Sequence, residues 1–273
     1  AVVTADWREK QVYHHLQELY DEIWVYGNQD IYDPVQLYQL PEAIHDRVVF
    51  TGYIPRSHKC SGTRQKVRRQ FRILPEDTFV LVTTGGGGDG REVLDHYIDM
   101  HEYFPTSLPL KSLIITGPFM AKTDRQQVKK RAKRFGIKTL PFHAHMEELI
   151  QAADVVISMG GYNTICEILT QGTPALVIPR ETPRQEQLIR ARCLSSRNLI
   201  DHIPFKAVTP QYLRDKIMSG PDSSFCLRSL DEVVREHVAR TFEYFDGDHE
   251  AAAEALEISL ERLHELAAES PPP

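Results

Sequence analysis

Three short stretches of this 273-residue chain hold residue types suited to binding an anion or a polyol. The first is Thr84-Gly85-Gly86-Gly87-Gly88-Asp89-Gly90. Glycines let backbone N–H groups come close to an anion, and a helix opening behind them adds a favourable dipole. Five of the six residues from 85 to 90 are glycine, more than turning alone requires. Asp89 argues against a phosphate lying squarely in this loop and suits hydroxyls instead; a flexible turn is the competing explanation. The second stretch is Ile157-Ser-Met-Gly160-Gly161-Tyr162-Asn163-Thr164-Ile-Cys-Glu167. Here an apolar run ends in glycines and a helical pattern begins. The N–H groups of Tyr162, Asn163 and Thr164 then lack intrahelical acceptors and suit a diphosphate. Glu167, about one turn in, has the chemistry to accept both hydrogens of a ribose diol. A surface glutamate compensating the helix dipole explains it equally well. The third stretch, Pro179 to Ala191, carries Arg184, Gln185, Glu186, Gln187 and Arg190 directly after another apolar run. Its amides and carboxylates suit sugar hydroxyls, and an ordinary helical first turn is the alternative.

The elements that must position these stretches alternate in kind. Short runs over 48–51, 79–84, 112–116, 138–140, 154–158 and 175–178 are near-continuously apolar, as expected of strands buried on both faces of a parallel sheet. Helical patterns over 91–104, 124–135, 146–153, 163–171, 183–197 and 209–218 separate or follow them. Gly136 and Gly172 mark helix ends, and Thr209-Pro210 marks a start. The alternation predicts an α/β fold, a Rossmann-like parallel sheet with helices on both faces. Further helices are expected over 229–245 and 250–268, with a helix over 7–20 and a strand over 22–26 at the other end.

With those motifs in view, the stretch from Phe142 to Ala191 resembles the donor-binding, C-terminal half of GT-B-fold glycosyltransferases, especially the MurG-like transferases and a related group of bacterial glycosyltransferases. The resemblance rests on Phe142-His-Ala-His-Met146, Ala153-Asp-Val-Val-Ile157, Gly160-Gly161 with Thr164 and Glu167, Gly172-Thr-Pro-Ala-Leu-Val-Ile-Pro179, and Glu186-Gln187 with Arg190-Ala191. With the first glycine loop it spans roughly residues 48 to 200. It implies a nucleoside diphosphate sugar, a UDP-sugar favoured, as donor substrate, with no cofactor and no metal. It implies that the backbone at His143 contacts the base, that Gly161 to Thr164 face the diphosphate, that Glu167 binds ribose, and that Glu186 and Gln187 face the sugar. Gly85, Gly86, Gly87 and Gly160 complete the expected binding set. The sequence departs from the MurG pattern at Glu186 (glutamine there), at Arg190 (asparagine there) and at Asp89. Residues 1–47 are expected to be the remnant of an N-terminal acceptor domain and linker, 48–246 the donor domain, and 247–273 a C-terminal helix and tail. In such proteins the catalytic base comes from the acceptor domain, so none is assigned here. Two alternatives share the fold: a non-catalytic nucleotide-sugar-binding subunit that needs a separate acceptor-domain partner, and a sugar-nucleotide epimerase or hydrolase.

Bulk properties narrow the classes. The formal net charge of −6 supplies no field to recruit nucleic acid, and 41% hydrophobic residues suffice for a core. No apolar run approaches the roughly 20 residues of a membrane helix. The cysteines, Cys60, Cys166, Cys193 and Cys226, form no C-x-x-C pair, which fits reduced thiols in the cytoplasm. His143-Ala-His145 has no third ligand nearby in sequence. The basic clusters 64–72 and 129–134 are expected to be solvated faces, with contact to a membrane surface or a lipid-linked anionic acceptor as the other reading.

Overall fold

The structure is a computed structural model that describes residues 2–54, 64–104, 110–182, 184–219 and 249–251. Its contacts divide the chain into residues 1–226 and 227–273. Of the second unit, residues 249–251 are described and are helical. The helices expected over 229–245 and most of 250–268 therefore lie outside the described residues, as do Cys60 and Cys226.

The first unit opens with α1 (Val2–Glu9) and α2 (Val12–Leu19), where the sequence pattern suggested one helix over 7–20. The break is at Gln11, whose φ of 53° is left-handed and reverses the chain. The fold-back places the Trp7 ring 5.8 Å from Tyr13 and 4.9 Å from Tyr38. Next come β1 (Ile23–Val25), α3 (Pro34–Leu37) and β2 (Val48–Phe50). β1 and β2 pair in parallel as a separate two-stranded sheet. This corrects the expectation that the Val48 run joins the main sheet. The run is only half-buried, so its apolar residues do not signal two covered faces.

The rest is a wound α/β array. In order, it comprises α4 (Arg64–Phe71), β3 (Thr78–Thr83), α5 (Arg91–Tyr103), β4 (Leu110–Ile115), α6 (Lys122–Lys133) and β5 (Lys138–Leu140). α7 (Met146–Ala152), β6 (Val155–Ser158), α8 (Tyr162–Gln171), β7 (Ala175–Val177), α9 (Glu186–Ser195), β8 (Asp201–His202) and α10 (Pro210–Met218) follow. The six strands β3 to β8 are all parallel, in the order β5-β4-β3-β6-β7-β8. Right-handed crossovers put α5 and α6 on one face and α8 and α9 on the other, because the winding direction reverses between β3 and β6. α10 packs on α5, and α4 and α8 pack on α7.

The core explains the apolar runs. Val80, Leu81, Val82, Ile114, Val156, Ile157 and Val177 are fully buried. Burial of each such side chain is worth about 1.5–3 kcal/mol. Local signals act as their chemistry dictates. Thr209 Oγ1 accepts the Tyr212 N–H at 3.1 Å, with Pro210 in the first helical position. Gly172, φ 61°, closes α8.

Most of the two basic clusters is a solvated face, as expected: Lys66, Arg69, Arg72, Lys129, Lys130 and Lys133 are exposed, and it is Arg68 in the first and Arg131 in the second that tie inward. Arg68 is buried and donates to Asp154 at 3.0 Å and to the carbonyls of Leu74 and Asp77 at 2.8 and 2.7 Å. Arg64 joins it on Asp154, whose carboxylate also accepts the Phe79 N–H at 2.6 Å. Burial alone would raise the Asp154 pKa; the Phe79 N–H and the two arginines outweigh it and hold it low. In the second cluster Arg131 bonds Asp95 at 2.7 Å and Asp99 at 2.6 Å across α5 and α6. No described helix is long and apolar enough to cross a membrane.

Candidate functional site

A wound parallel sheet gathers its ligand-facing loops at the C-terminal edge, and the crevice opens where the strand order reverses. That point lies between β3 and β6. The loops leaving these strands are the two glycine stretches, Thr84–Gly90 and Gly160–Gly161. They face each other: a Cβ on Gly85 would lie 3.9 Å from Thr164 Oγ1 in the first turn of α8.

The glycines divide by purpose. Gly87 (φ 85°) is buried, and a Cβ there would lie 2.1 Å from the Thr116 carbonyl oxygen. Gly87 therefore serves close packing against the loop after β4. Gly160 (φ 75°) is likewise required by backbone conformation and by Val177 Cγ1, 2.8 Å from the Cβ it lacks. Gly161 differs. Its φ of −59° and ψ of 147° suit any residue, and a Cβ there meets nothing within 4 Å. The fold does not demand a glycine at 161; the open space beside it is a cradle on the crevice side.

Gly161 caps α8 without a side-chain hydrogen bond. The N–H groups of the first turn are thus left for a ligand or solvent. Asn163 is exposed, and Tyr162 and Thr164 are half-buried. Arg190, 8% exposed, reaches from α9 and donates Nη1 to the Gly160 carbonyl at 2.9 Å. In a trans peptide the N–H points opposite to the C=O, so this bond turns the Gly161 N–H away from α9. Arg190 also lies 5.8 Å over the Tyr162 ring, which stacks on Tyr53 at 5.5 Å and 13°. The Ile54 N–H donates to the Tyr162 hydroxyl at 3.3 Å, and burial first of all pushes that phenol up to about 12. The departure at Arg190 thus has a structural use in fixing the turn.

The remaining expected residues lie along the same edge. His143 is half-buried in the loop after β5; its Nδ1 accepts the His145 N–H at 3.2 Å. Glu167, in the second turn of α8, is 7% exposed, which removes the surface-glutamate explanation. Glu186 and Gln187 are turned inward onto Arg180. Arg180 Nη2 donates to Glu186 Oε1, and the Arg180 backbone N–H donates to Gln187 Oε1 at 3.1 Å. Arg180 Nη1 donates to Asp89. From the loop after β5 to the loop after β7 is four strand spacings, roughly 19 Å at about 4.8 Å each, room for a base, ribose, diphosphate and hexose in series.

Sequence reasoning passed over Arg180 and Phe119, and noted Arg190 without the bond it makes. Arg180 and Arg190 carry no spacing signal, since their partners are 91 and 30 residues away. Phe119, 79% exposed, sits in the loop after β4 with its N–H bonded to the Gly86 carbonyl at 2.8 Å. Gly117-Pro118 just after an apolar run was the available clue. Among the described residues no group of three His, Cys, Asp or Glu converges on a metal position.

Fold and crevice together define a doubly wound parallel α/β domain whose two glycine loops meet at the β3/β6 reversal. Residues 79–220 match the Glycosyltransferase family 28 C-terminal domain, and the chain belongs to that family. Its sequence is 28% identical over 211 residues to the UDP-N-acetylglucosamine--N-acetylmuramyl-(pentapeptide) pyrophosphoryl-undecaprenol N-acetylglucosamine transferase of Bacillus subtilis, covering 70% of this chain and 58% of that protein. The chain spans 36% to 58% of the length of eight curated relatives that it matches. The solved structure of the kitacinnamycin glycotransferase shares the fold with a TM-score of 0.55 at 15% identity, over 86% of this chain and 60% of that one. The MurG of Acinetobacter baumannii does so with a TM-score of 0.50 at 14% identity, over 81% and 69%.

Proposed function

We propose that this chain is the donor side of a glycosyltransferase and binds a nucleoside diphosphate sugar, a UDP-sugar favoured, across the C-terminal edge of the sheet. The observation that carries the reading is the Gly161 turn: an uncapped helix start, an unfilled Cβ position and a location at the strand-order reversal. The diphosphate lies against the N–H groups of 161–164 and the exposed Gly85-Gly86 backbone. These dipoles oppose no reorganisation when charge develops on the leaving diphosphate, which is how such a site lowers a transfer barrier. Glu167 addresses the ribose, the loop at His143 the base, and the Glu186–Gln187 turn the sugar. The acceptor hydroxyl and the base come from outside this crevice, and transfer proceeds with inversion. The name of the B. subtilis relative, which includes a pyrophosphoryl-undecaprenol, supports a lipid-linked acceptor; a protein that meets such an acceptor works at a membrane surface.

A thermal-shift screen of nucleoside diphosphates tests this. A ligand at 100 times its Kd adds about 2.7 kcal/mol of stability. The expected result is stabilisation by UDP and not by uridine; indifference to every nucleoside diphosphate contradicts the proposal.

A further inference from the structure

Asp89 poses a problem for a diphosphate site, because its carboxylate hangs from the first glycine loop at the mouth of the crevice. The structure shows what holds it. Arg180, leaving the end of β7, gives Nη1 to Asp89 and Nη2 to Glu186, the first residue of α9. β3 and β7 flank β6, so the Arg180–Asp89 bridge passes over the C-terminal end of β6, where the Gly161 turn opens. One cation there is shared by two carboxylates, which leaves the cluster with one net negative charge. The Arg180 side chain is 25% exposed and that of Asp89 46%, so the pair is reachable from solvent. Arg180 Nε is buried with no hydrogen-bond partner among the described residues.

We propose that Arg180 is an exchangeable cation of the crevice, binding the diphosphate of an incoming donor, and that Asp89 is its placeholder until the donor arrives. The inference rests on the donor-binding function proposed above. Three physical points support it. An exposed ion pair is worth little, so releasing Asp89 is cheap. A guanidinium offers a planar fork of N–H donors that fits phosphate oxygens two at a time. Glu186 keeps its bond to Nη2 throughout, so Arg180 stays aimed while Nη1 changes partner. The exchange also moves the Asp89 carboxylate away from the arriving anion, whose charge it would otherwise oppose.

Calorimetric titration of the wild type, Asp89→Asn, Arg180→Ala and Arg180→Lys with UDP and with uridine tests the proposal. Asp89→Asn removes the competitor and should bind UDP up to about tenfold more tightly, a gain that damage to the fold does not produce. Arg180→Ala should bind UDP about tenfold or more weakly, with Arg180→Lys in between, because a charge-assisted bond is lost or simplified. Uridine affinity should not move in any variant. Unchanged or weaker UDP binding by Asp89→Asn would overturn the exchange, since it would make Asp89 a positioning residue for Arg180. Wild type that binds UDP while all three variants match it sinks this proposal and leaves the donor reading standing. Wild type that binds no UDP sinks both.

Discussion

Replacing Gly161 with valine separates the demands of the fold from those of the ligand. The backbone there, φ −59° and ψ 147°, is open to a β-branched residue, and the new Cβ meets no protein atom within 4 Å. Two small effects on stability oppose each other. Losing glycine narrows the unfolded ensemble and stabilises by about 0.4–1 kcal/mol. Losing a good N-cap residue costs a comparable amount, so stability should stay within about 1 kcal/mol of wild type. Binding should respond very differently. The side chain would project over the first-turn N–H groups, and each charge-assisted hydrogen bond it displaces is worth about 1.5–3 kcal/mol. Losing even one weakens UDP roughly ten- to a hundredfold. Urea unfolding alongside calorimetry with UDP reads both quantities on one sample. A Gly161→Val protein that binds UDP as wild type does would refute the argument that this open space belongs to the diphosphate.

Other substitutions probe neighbouring steps. Gly87→Ala should cost about 1–3 kcal/mol of stability, because its φ of 85° and the Thr116 oxygen 2.1 Å from the new Cβ force the loop to shift; urea unfolding measures it. Arg190→Met should strip the buried Gly160 carbonyl of its donor at 2.9 Å, costing about 1–3 kcal/mol and loosening UDP binding together; full UDP affinity in a destabilised protein would exclude Arg190 as the residue that orients the turn. Asp154→Ala should cost about 2–4 kcal/mol by leaving buried Arg68 with one fewer partner, at the sheet edge opposite the crevice, without altering UDP affinity. His101 supplies a pH test. Burial lowers its pKa from 6.5 to about 4, and its Nε2 has no hydrogen-bond partner among the described residues. The unfolded chain thus binds the proton more readily, so stability is full above pH 6.5 and falls as pH descends towards 4, by about 3 kcal/mol at most. His101→Leu should flatten unfolding free energies between pH 7 and 4.5; an unaltered slope would assign the acid sensitivity to other groups.

The sheet was legible in the sequence because strands covered on both faces must be apolar throughout, as in β3, β6 and β7. The same rule failed at Val48–Phe50, where three apolar residues form a half-buried strand of a separate pair, and it was silent at β8, whose two residues, Asp201 and His202, are polar. A left-handed turn at Gln11 was invisible because nothing in a glutamine announces it. The two glycine loops could be read because glycine is required where backbone meets backbone or ligand. The purpose of each glycine could not, since Gly87 and Gly161 look alike until their surroundings are known. Side chains that hold the crevice together, Arg180 to Asp89 and Arg190 to Gly160, join distant segments and emerge only once the chain is wound.

The most direct test of the central claim is an amide-resolved NMR titration of the labelled protein with UDP. With the diphosphate seated on the Gly161 turn, the N–H signals of Gly85, Gly86, Gly161, Asn163 and Thr164 move together and saturate at one stoichiometry, while those of α4 and the Asp154 hub stay fixed. Saturable UDP binding that leaves the 161–164 amides unmoved would contradict it.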